Sequence, residues 1–240
     1  YRNYDPGESR EIFYDEIAYI VGNPDNAFSL VKPEGYGTNL DESASVDPII
    51  LKETFDDMLT NERPYSWHLN TDKNTNVAIR AIPSESDKCM QFWDGNTEGY
   101  PEAWKSFIPQ YQPVTASWQF KENGIIEGHR MHIQSGNTTA IKLETDGKGN
   151  LIYTDANGSN QIVGAIHKDV WHTVTVKLNP ETKTADIYYD DAQILSDVSF
   201  TNQVNFVDRI LFGSSKTPAK WHLYVNEVSV HRTGSLSNEE

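Results

Sequence analysis

Short runs of alternating apolar and polar residues recur along the chain from residue 49 onward. In VTVKL at 174–178 and ADIYY at 185–189, the first, third and fifth side chains can face inward while the others face outward. Turn signals separate such runs at DGN 94–96, ENG 122–124, SGN 135–137, DGKGN 146–150 and ANG 156–158. Closely spaced strands of this kind predict an all-β, antiparallel β-sandwich or barrel.

The two ends of the chain carry the same strand-like pattern. IFYDEIAYI at 12–20 aligns without a gap with LYVNEVSVH at 223–231. We interpret residues 1–21 as the closing strand of a preceding, similar β domain that remains attached to this one. The alternative is that this segment adds an edge strand to the main domain, where it would cover an exposed sheet edge.

Turn and linker residues dominate the segment that follows the first strand pattern. GNPDN, KPEGYG and DESAS occur within 22–48, with few apolar residues to bury, which predicts a linker. We therefore expect the main domain over 49–234 and a tail at 235–240. Because the chain begins with Tyr1 and not Met, we expect it to be a mature or excised part of a larger secreted protein with neighbouring modules.

Charge and composition limit the partners of the chain. It carries 35 acidic against 20 basic residues, a formal net charge of -15. Nucleic-acid binding depends on basic groups that neutralise phosphates, so we expect no nucleic-acid partner. No apolar run approaches the roughly 18 residues that a membrane helix needs, so we expect no membrane partner. The single cysteine, Cys89, excludes an internal disulfide, and its apolar setting predicts a small buried side chain and not a nucleophile.

Several segments, taken in order, give the chain a resemblance to a known family. They are ETFD 53–56, DKCMQFWD 87–94, PVTASWQF 113–120, IQSG 133–136, WHTVTV 171–176, IYYDD 187–191 and YVNEV 224–228. The order resembles the concanavalin A-like, laminin-G-like (LamG-like) jelly roll that occurs as an accessory, carbohydrate-binding module in secreted bacterial polysaccharide-degrading enzymes. The resemblance covers about 49–234 and implies an antiparallel β-sandwich jelly roll. Because this fold also serves lectins, glycanases and lyases, the function has to be argued from the site.

Strand alternation predicts which polar side chains leave the core. Where Met131 and Ile133 face inward, their neighbours face outward, and the same rule applies to the other runs. The resulting set is Arg130, His132, Gln134, Gln119, Lys142, Glu144, Lys177 and Tyr188. We expect these groups to form one polar sheet face that binds sugar hydroxyls, with Trp67 and Trp104 as flat apolar surfaces for pyranose rings.

The hypothesis that the chain is an enzyme stays open beside the hypothesis that it binds carbohydrate without catalysis. Jelly-roll polysaccharide lyases, which the chain also resembles, carry Gln and His on one strand next to a catalytic Tyr. That resemblance implies His132 as the base, Tyr188 as the acid, and Arg130 or Gln134 as the group that neutralises a uronate carboxylate. His132-x-Gln134 reverses the order of the alginate lyases. The Glu-x-Asp-x-x-Glu pattern of retaining glycoside hydrolases is absent from the sequence, so hydrolysis is not expected.

The resemblance also implies one structural Ca²⁺ between the first and last strands of the domain. Glu53, Asp56 and Glu227 are the expected ligands, since Ca²⁺ takes hard oxygen ligands. Asn226 stands where an Asp is common, which lowers the negative charge of such a site. The alternative is that these three residues are solvated surface acids.

The sequence therefore predicts a secreted, extracellular and monomeric module that binds a polysaccharide or oligosaccharide without catalysis. Its role would be to hold a multimodular enzyme on its substrate. The first alternative is a polysaccharide lyase that acts by β-elimination on a uronate-containing glycan, and the second is a structural spacer. The glycan itself is not predicted, because specificity depends on loop geometry.

Overall fold

A computed structural model gives the structure of most of the predicted main domain. The described residues are 49–72, 74–95, 99–124, 127–214 and 222–233. The predicted strand at 1–21, linker at 22–48 and tail at 235–240 lie outside these residues and stay predictions. Among the described residues there is no α-helix, and so no helix long and apolar enough to cross a membrane.

Fifteen strands make up the described part of the chain. They are β1 (Ile49–Glu53), β2 (His68–Asn70), β3 (Thr75–Ser84), β4 (Asp87–Asp94), β5 (Glu102–Gln110), β6 (Val114–Glu122), β7 (Glu127–Ser135), β8 (Thr138–Asp146), β9 (Asn150–Thr154), β10 (Asn160–Ala165), β11 (Trp171–Asn179), β12 (Thr184–Tyr189), β13 (Ala192–Ser199), β14 (Val207–Gly213) and β15 (His222–Arg232). Turns with Gly or Asn at positive φ, such as Gly136 between β7 and β8, join several of them.

The strands form two antiparallel sheets. An eight-stranded sheet has the order β13-β12-β11-β6-β15-β4-β3, with β1 also paired to β15, and a seven-stranded sheet has the order β10-β9-β8-β7-β14-β5-β2. The predicted closing strand is thus an interior strand, because β15 pairs with β6 on one side and with β4 and β1 on the other. The all-β, antiparallel jelly-roll sandwich predicted from the sequence is confirmed.

The core lies between the two sheets and follows the predicted alternation. In β6, Val114, Ala116, Trp118 and Phe120 are buried while the residues between them are partly exposed. The Trp118 ring meets the edge of Phe212, from β14 of the other sheet, with ring centroids 5.8 Å apart. This side-chain contact joins the two sheets through their inner faces.

Cys89 on β4 is fully buried, as predicted from its apolar neighbours. Burial raises the pKa of its thiol to about 12. The side chain is therefore a neutral thiol at neutral pH. It packs as a small apolar group and has none of the thiolate character that a nucleophile needs.

Candidate functional site

The outward-facing residues predicted to share one face are divided between the two sheets. Arg130, His132, Gln134, Lys142 and Glu144 lie on β7 and β8 of the seven-stranded sheet, whereas Gln119, Lys177 and Tyr188 lie on β6, β11 and β12 of the eight-stranded sheet. Because the sheets pack through their inner faces, these two groups are on opposite sides of the sandwich. The prediction of a single shared face is wrong, since alternation says whether a side chain leaves the core but not which sheet its strand joins.

The outer face of the seven-stranded sheet gathers its side chains in two rows set by the strand register. The first row is His68, Trp104, Leu211, His132, Lys142, Thr154 and Asn160. The second row is Asn70, Glu102, Gly213, Arg130, Glu144, Ile152 and Ile162. We call these two rows the polar face. Inward-facing residues such as Phe212 and Met131 alternate with them and lie in the core.

Glu144 accepts contacts from two basic side chains in the middle of the polar face. Its Oε1 lies 3.1 Å from His132 Nε2, and its Oε2 lies 3.1 Å from Lys142 Nζ. Burial lowers the pKa of His132 below its ordinary value. Burial alone would raise the pKa of Glu144, but the hydrogen bonds from His132 and Lys142 outweigh it and hold that pKa below its ordinary range. The result is a charged carboxylate that a neutral imidazole and an ammonium group both contact.

Each of the three guanidinium nitrogens of Arg130 donates a hydrogen bond within the protein. Nη1 donates to Glu102 Oε1 at 2.6 Å, and Nε and Nη2 donate to the carbonyl oxygen of Ser214 at 3.2 and 2.9 Å. Its Cζ lies 4.0 Å from the centroid of the Tyr100 ring, close enough for a cation–π contact. Arg130 therefore ties β7 to β5 and to the residue after β14, and each of its three guanidinium nitrogens already donates a hydrogen bond.

The Trp104 ring is contacted by two side chains that were not among the predicted site residues. The His68 imidazole stacks on it with centroids 5.5 Å apart and an interplanar angle of 14°. The Arg209 guanidinium lies 5.8 Å from the ring centroid. His68 comes from β2 and Arg209 from β14, the two strands that flank β5. The outward position of Arg209 could have been predicted from its alternation with the buried Ile210 and Phe212. The position of His68 could not, because its strand has only three residues and shows no alternating pattern.

A groove runs along the polar face at its β7–β8–β9 end. Its volume is about 660 Å³. The lining residues are Glu127, Gly128, Lys142, Glu144, Thr145, Asp146, Lys148, Ile152, Thr154, Gly158 and Asn160. Only Lys142 and Glu144 of this lining were predicted as site residues. The groove thus offers charged, hydroxyl and amide groups together with a small apolar surface at Ile152.

Two buried polar atoms next to the first row have no hydrogen-bond partner within the described part of the chain. Gln134, whose side chain is only 6% exposed, uses Nε2 to contact Thr139 Oγ1 at 3.4 Å and leaves Oε1 unpartnered. Arg209 faces Gln134 across the β14–β7 pair and leaves its Nε unpartnered. An acceptor and a donor therefore stand on neighbouring strands without partners, an arrangement that a folded protein rarely keeps without a reason.

The predicted lyase residues do not come together. His132 lies on the polar face, whereas Tyr188 lies on the opposite side of the sandwich, where Lys177 Nζ sits 4.6 Å above its ring. The base and acid assigned to His132 and Tyr188 would thus act on opposite surfaces, so that pairing is wrong. Arg130, the proposed neutralising group, is bound to Glu102.

Trp67 belongs to the core and offers no ring face to a ligand. Its side chain is 7% exposed and packs between Phe55 and Phe212, at centroid distances of 5.8 and 6.1 Å. Its Nε1 donates to Glu53 Oε2 at 3.4 Å. The predicted role as a sugar platform is therefore replaced by a role in packing, and Trp104 is the remaining predicted aromatic on the polar face.

Two of the three residues predicted to hold Ca²⁺, Glu53 and Asp56, accept hydrogen bonds from protein groups. Glu53 Oε1 accepts the Phe55 backbone N–H at 3.3 Å, and Asp56 Oδ1 accepts the Lys88 backbone N–H at 2.8 Å. Glu227 is exposed, at a positive φ of 50°. Among the described residues, no group of three or more His, Cys, Asp or Glu side chains is arranged to hold a metal ion. An ion would have to displace these contacts, and Ca²⁺ binding stays a prediction.

No protein-family model and no curated protein sequence matches the chain. Solved structures do match. A sialidase aligns with a TM-score of 0.65 and 11% identity over 78% of this chain and 19% of the sialidase. The cellulose induced protein Cip1 aligns with a TM-score of 0.56 and 9% identity over 76% of this chain and 97% of that protein. A third structure comes from work on endo-acting O-glycanases, which human gut microbiota express to initiate mucin breakdown. It aligns with a TM-score of 0.55 and 9% identity over 78% of this chain and 100% of that chain. At such identities, these likenesses show the fold.

Proposed function

We propose that the chain is a non-catalytic carbohydrate-binding module and that the polar face binds the glycan. The observation that carries this proposal is the groove of about 660 Å³ beside a row of hydrogen-bonding side chains on neighbouring strands. Sugar hydroxyls both donate and accept, so Glu144, Lys142 and Asn160 are complementary partners for them. In this proposal the module is secreted, acts as a monomer, and holds neighbouring modules of a larger polypeptide on a polysaccharide.

The fold likenesses support the same reading. The names of a sialidase, a cellulose induced protein and an O-glycanase study all refer to glycans or to enzymes that act on them. Catalysis by the predicted lyase residues has no comparable support, because His132 and Tyr188 lie on different sheets. We therefore prefer the hypothesis of a binding module to that of a lyase.

The test is affinity gel electrophoresis of the chain through gels that contain soluble polysaccharides. The Lys142→Ala variant removes a charged group that lines the groove, and Lys177→Ala is the matched control on the other side of the sandwich. We expect retardation of the unmodified chain, a loss of affinity of about tenfold for Lys142→Ala, or about 1.4 kcal/mol, and no change for Lys177→Ala. Equal losses for both variants, or no retardation by any polymer, would overturn the proposal. Ultraviolet absorbance of unsaturated products, recorded on the same polymers, would reveal a lyase.

A further inference from the structure

The charged groups of the polar face pair with one another. Arg130 is bound to Glu102 at 2.6 Å, and Lys142 is bound to Glu144 at 3.1 Å. His132 contacts Glu144 as well, and burial lowers its pKa, which keeps the imidazole neutral at neutral pH. The two charged basic groups at the centre of the polar face, Arg130 and Lys142, are therefore each paired with a carboxylate.

The groove itself has more acidic than basic side chains. Its described lining holds the carboxylates of Glu127, Glu144 and Asp146 and the ammonium groups of Lys142 and Lys148. The chain as a whole also carries a net charge of -15. A polyanion that approaches the groove would meet a repulsive potential, and one of the two ammonium groups, that of Lys142, is already paired with Glu144.

Binding of an acidic sugar would also break pairs that now exist. A uronate or sulfate bound to Lys142 or Arg130 would compete with Glu144 or Glu102, whose side chains are only 21% and 15% exposed. A partly buried carboxylate that loses its partner costs more free energy than the new contact returns. A neutral sugar hydroxyl can hydrogen-bond to these carboxylates and ammonium groups without separating them.

Given the proposed binding function, we infer that the ligand of the polar face is a neutral glycan and not a uronate-containing or sulfated one. The face recognises hydroxyl groups through its paired charges. This assignment separates the module from the uronate substrate that the lyase alternative would require.

The first experiment compares two classes of polymer at equal concentration and low ionic strength. Gels contain a galactomannan or a xyloglucan as neutral probes, and alginate or polygalacturonate as polyuronate probes. Retardation by a neutral polymer alone, insensitive to added salt, is the expected result. Retardation by a polyuronate would overturn the inference while leaving the proposed function intact, and retardation by neither class would overturn the proposed function itself.

A second experiment asks whether the paired carboxylates exclude acidic glycans. The double variant Glu102→Gln/Glu144→Gln keeps side-chain size but releases the charges of Arg130 and Lys142. Glu62→Gln/Glu181→Gln is the matched control, because it changes the net charge equally at two exposed positions. We expect the first variant to gain at least about tenfold in affinity for polyuronate and the control to gain little. Equal gains would show that overall charge, and not the polar face, sets the preference, and would overturn the inference.

Discussion

His132 Nε2 lies 3.1 Å from Glu144 Oε1 at the centre of the polar face. Since burial lowers the pKa of the imidazole and hydrogen bonds lower that of the carboxylate, the folded chain holds a neutral ring that donates to a charged acceptor. This contact joins β7 to β8 and fixes the side chain of Glu144, which also contacts Lys142. The stability of the fold and the chemistry of the groove are therefore linked through one carboxylate.

The burial of His132 predicts a loss of stability in mild acid. As the pH falls below about 6.5, the unfolded chain binds a proton at His132 that the folded chain does not, so the free energy of unfolding decreases. The pKa of Glu144 is also lowered on folding, so the free energy of unfolding decreases further when the pH falls below the ordinary pKa of a glutamate. Between about pH 7.5 and 5.5, urea unfolding should show a decrease of up to about 1 kcal/mol from His132.

The His132→Gln variant tests this assignment because glutamine can still donate to Glu144 but does not titrate. Its free energy of unfolding should fall less between the two pH values than that of the unmodified chain. Burial also lowers the pKa of His222, which contributes in the same direction and leaves part of the slope in place. An unchanged slope in the variant would assign the pH dependence to other groups.

A buried pair on the inner side of the sandwich predicts strong coupling between two residues. Glu122 Oε1 and His129 Nδ1 are 2.7 Å apart, and each side chain is 1% exposed. Glu122→Leu leaves His129 without its partner in the core and should cost about 3 to 5 kcal/mol in urea unfolding. The double variant Glu122→Leu/His129→Leu should be closer to the unmodified chain than either single variant. A double variant that shows the sum of the single losses would contradict the pairing.

The different positions of two tryptophans predict different costs of truncation. Trp67→Ala removes a 7% exposed ring from between Phe55 and Phe212 and should cost about 3 to 5 kcal/mol. Trp93, with 38% of its surface exposed, is the matched control, and Trp93→Ala should cost less than about 1 kcal/mol. Thermal or urea unfolding measures both, and similar losses would place the two rings in similar environments.

The close approach of β10 to a tyrosine ring predicts that one glycine does not tolerate a methyl group. A Cβ at Gly164 would lie 2.4 Å from Cδ1 of Tyr189, whose ring stacks on His172 and whose hydroxyl donates to the Ala165 carbonyl. Gly164→Ala should therefore cost about 1 to 3 kcal/mol in urea unfolding. In a Tyr189→Ala background the same change should cost much less. A cost that does not depend on residue 189 would show that backbone effects and not this contact are responsible.

The inward and outward positions of the regular strands could be predicted from the sequence. Val114, Trp118 and Phe120 are buried, as are Met131 and Ile133, because side chains alternate between faces along any strand and this local rule needs no knowledge of the partner strand. The polar residues between them face outward for the same reason. Arg130, His132, Lys142 and Glu144 were therefore correctly assigned to an outer face.

Residues outside regular strands carried no such signal. Trp67 precedes the three-residue strand β2, and its position in the core follows from contacts with Phe55 and with Phe212, the second of which is distant in sequence. The stacking of His68 and Arg209 on Trp104 likewise depends on the order β14-β5-β2 in the sheet. Aromatic composition alone could not separate the buried tryptophan from the one on the polar face.

The sequence by itself determined the strands, their turns and the side of each strand that meets the core. The tertiary structure decided which sheet each strand joins: β6 and β7 are consecutive, yet β6 pairs with β11 and β15 while β7 pairs with β8 and β14. This choice separated His132 from Tyr188 and brought Trp104 into one row with His132 and Lys142. Alternation depends on the geometry of a single strand, whereas sheet membership depends on contacts between segments that can lie more than a hundred residues apart. A local pattern carries no information about such contacts.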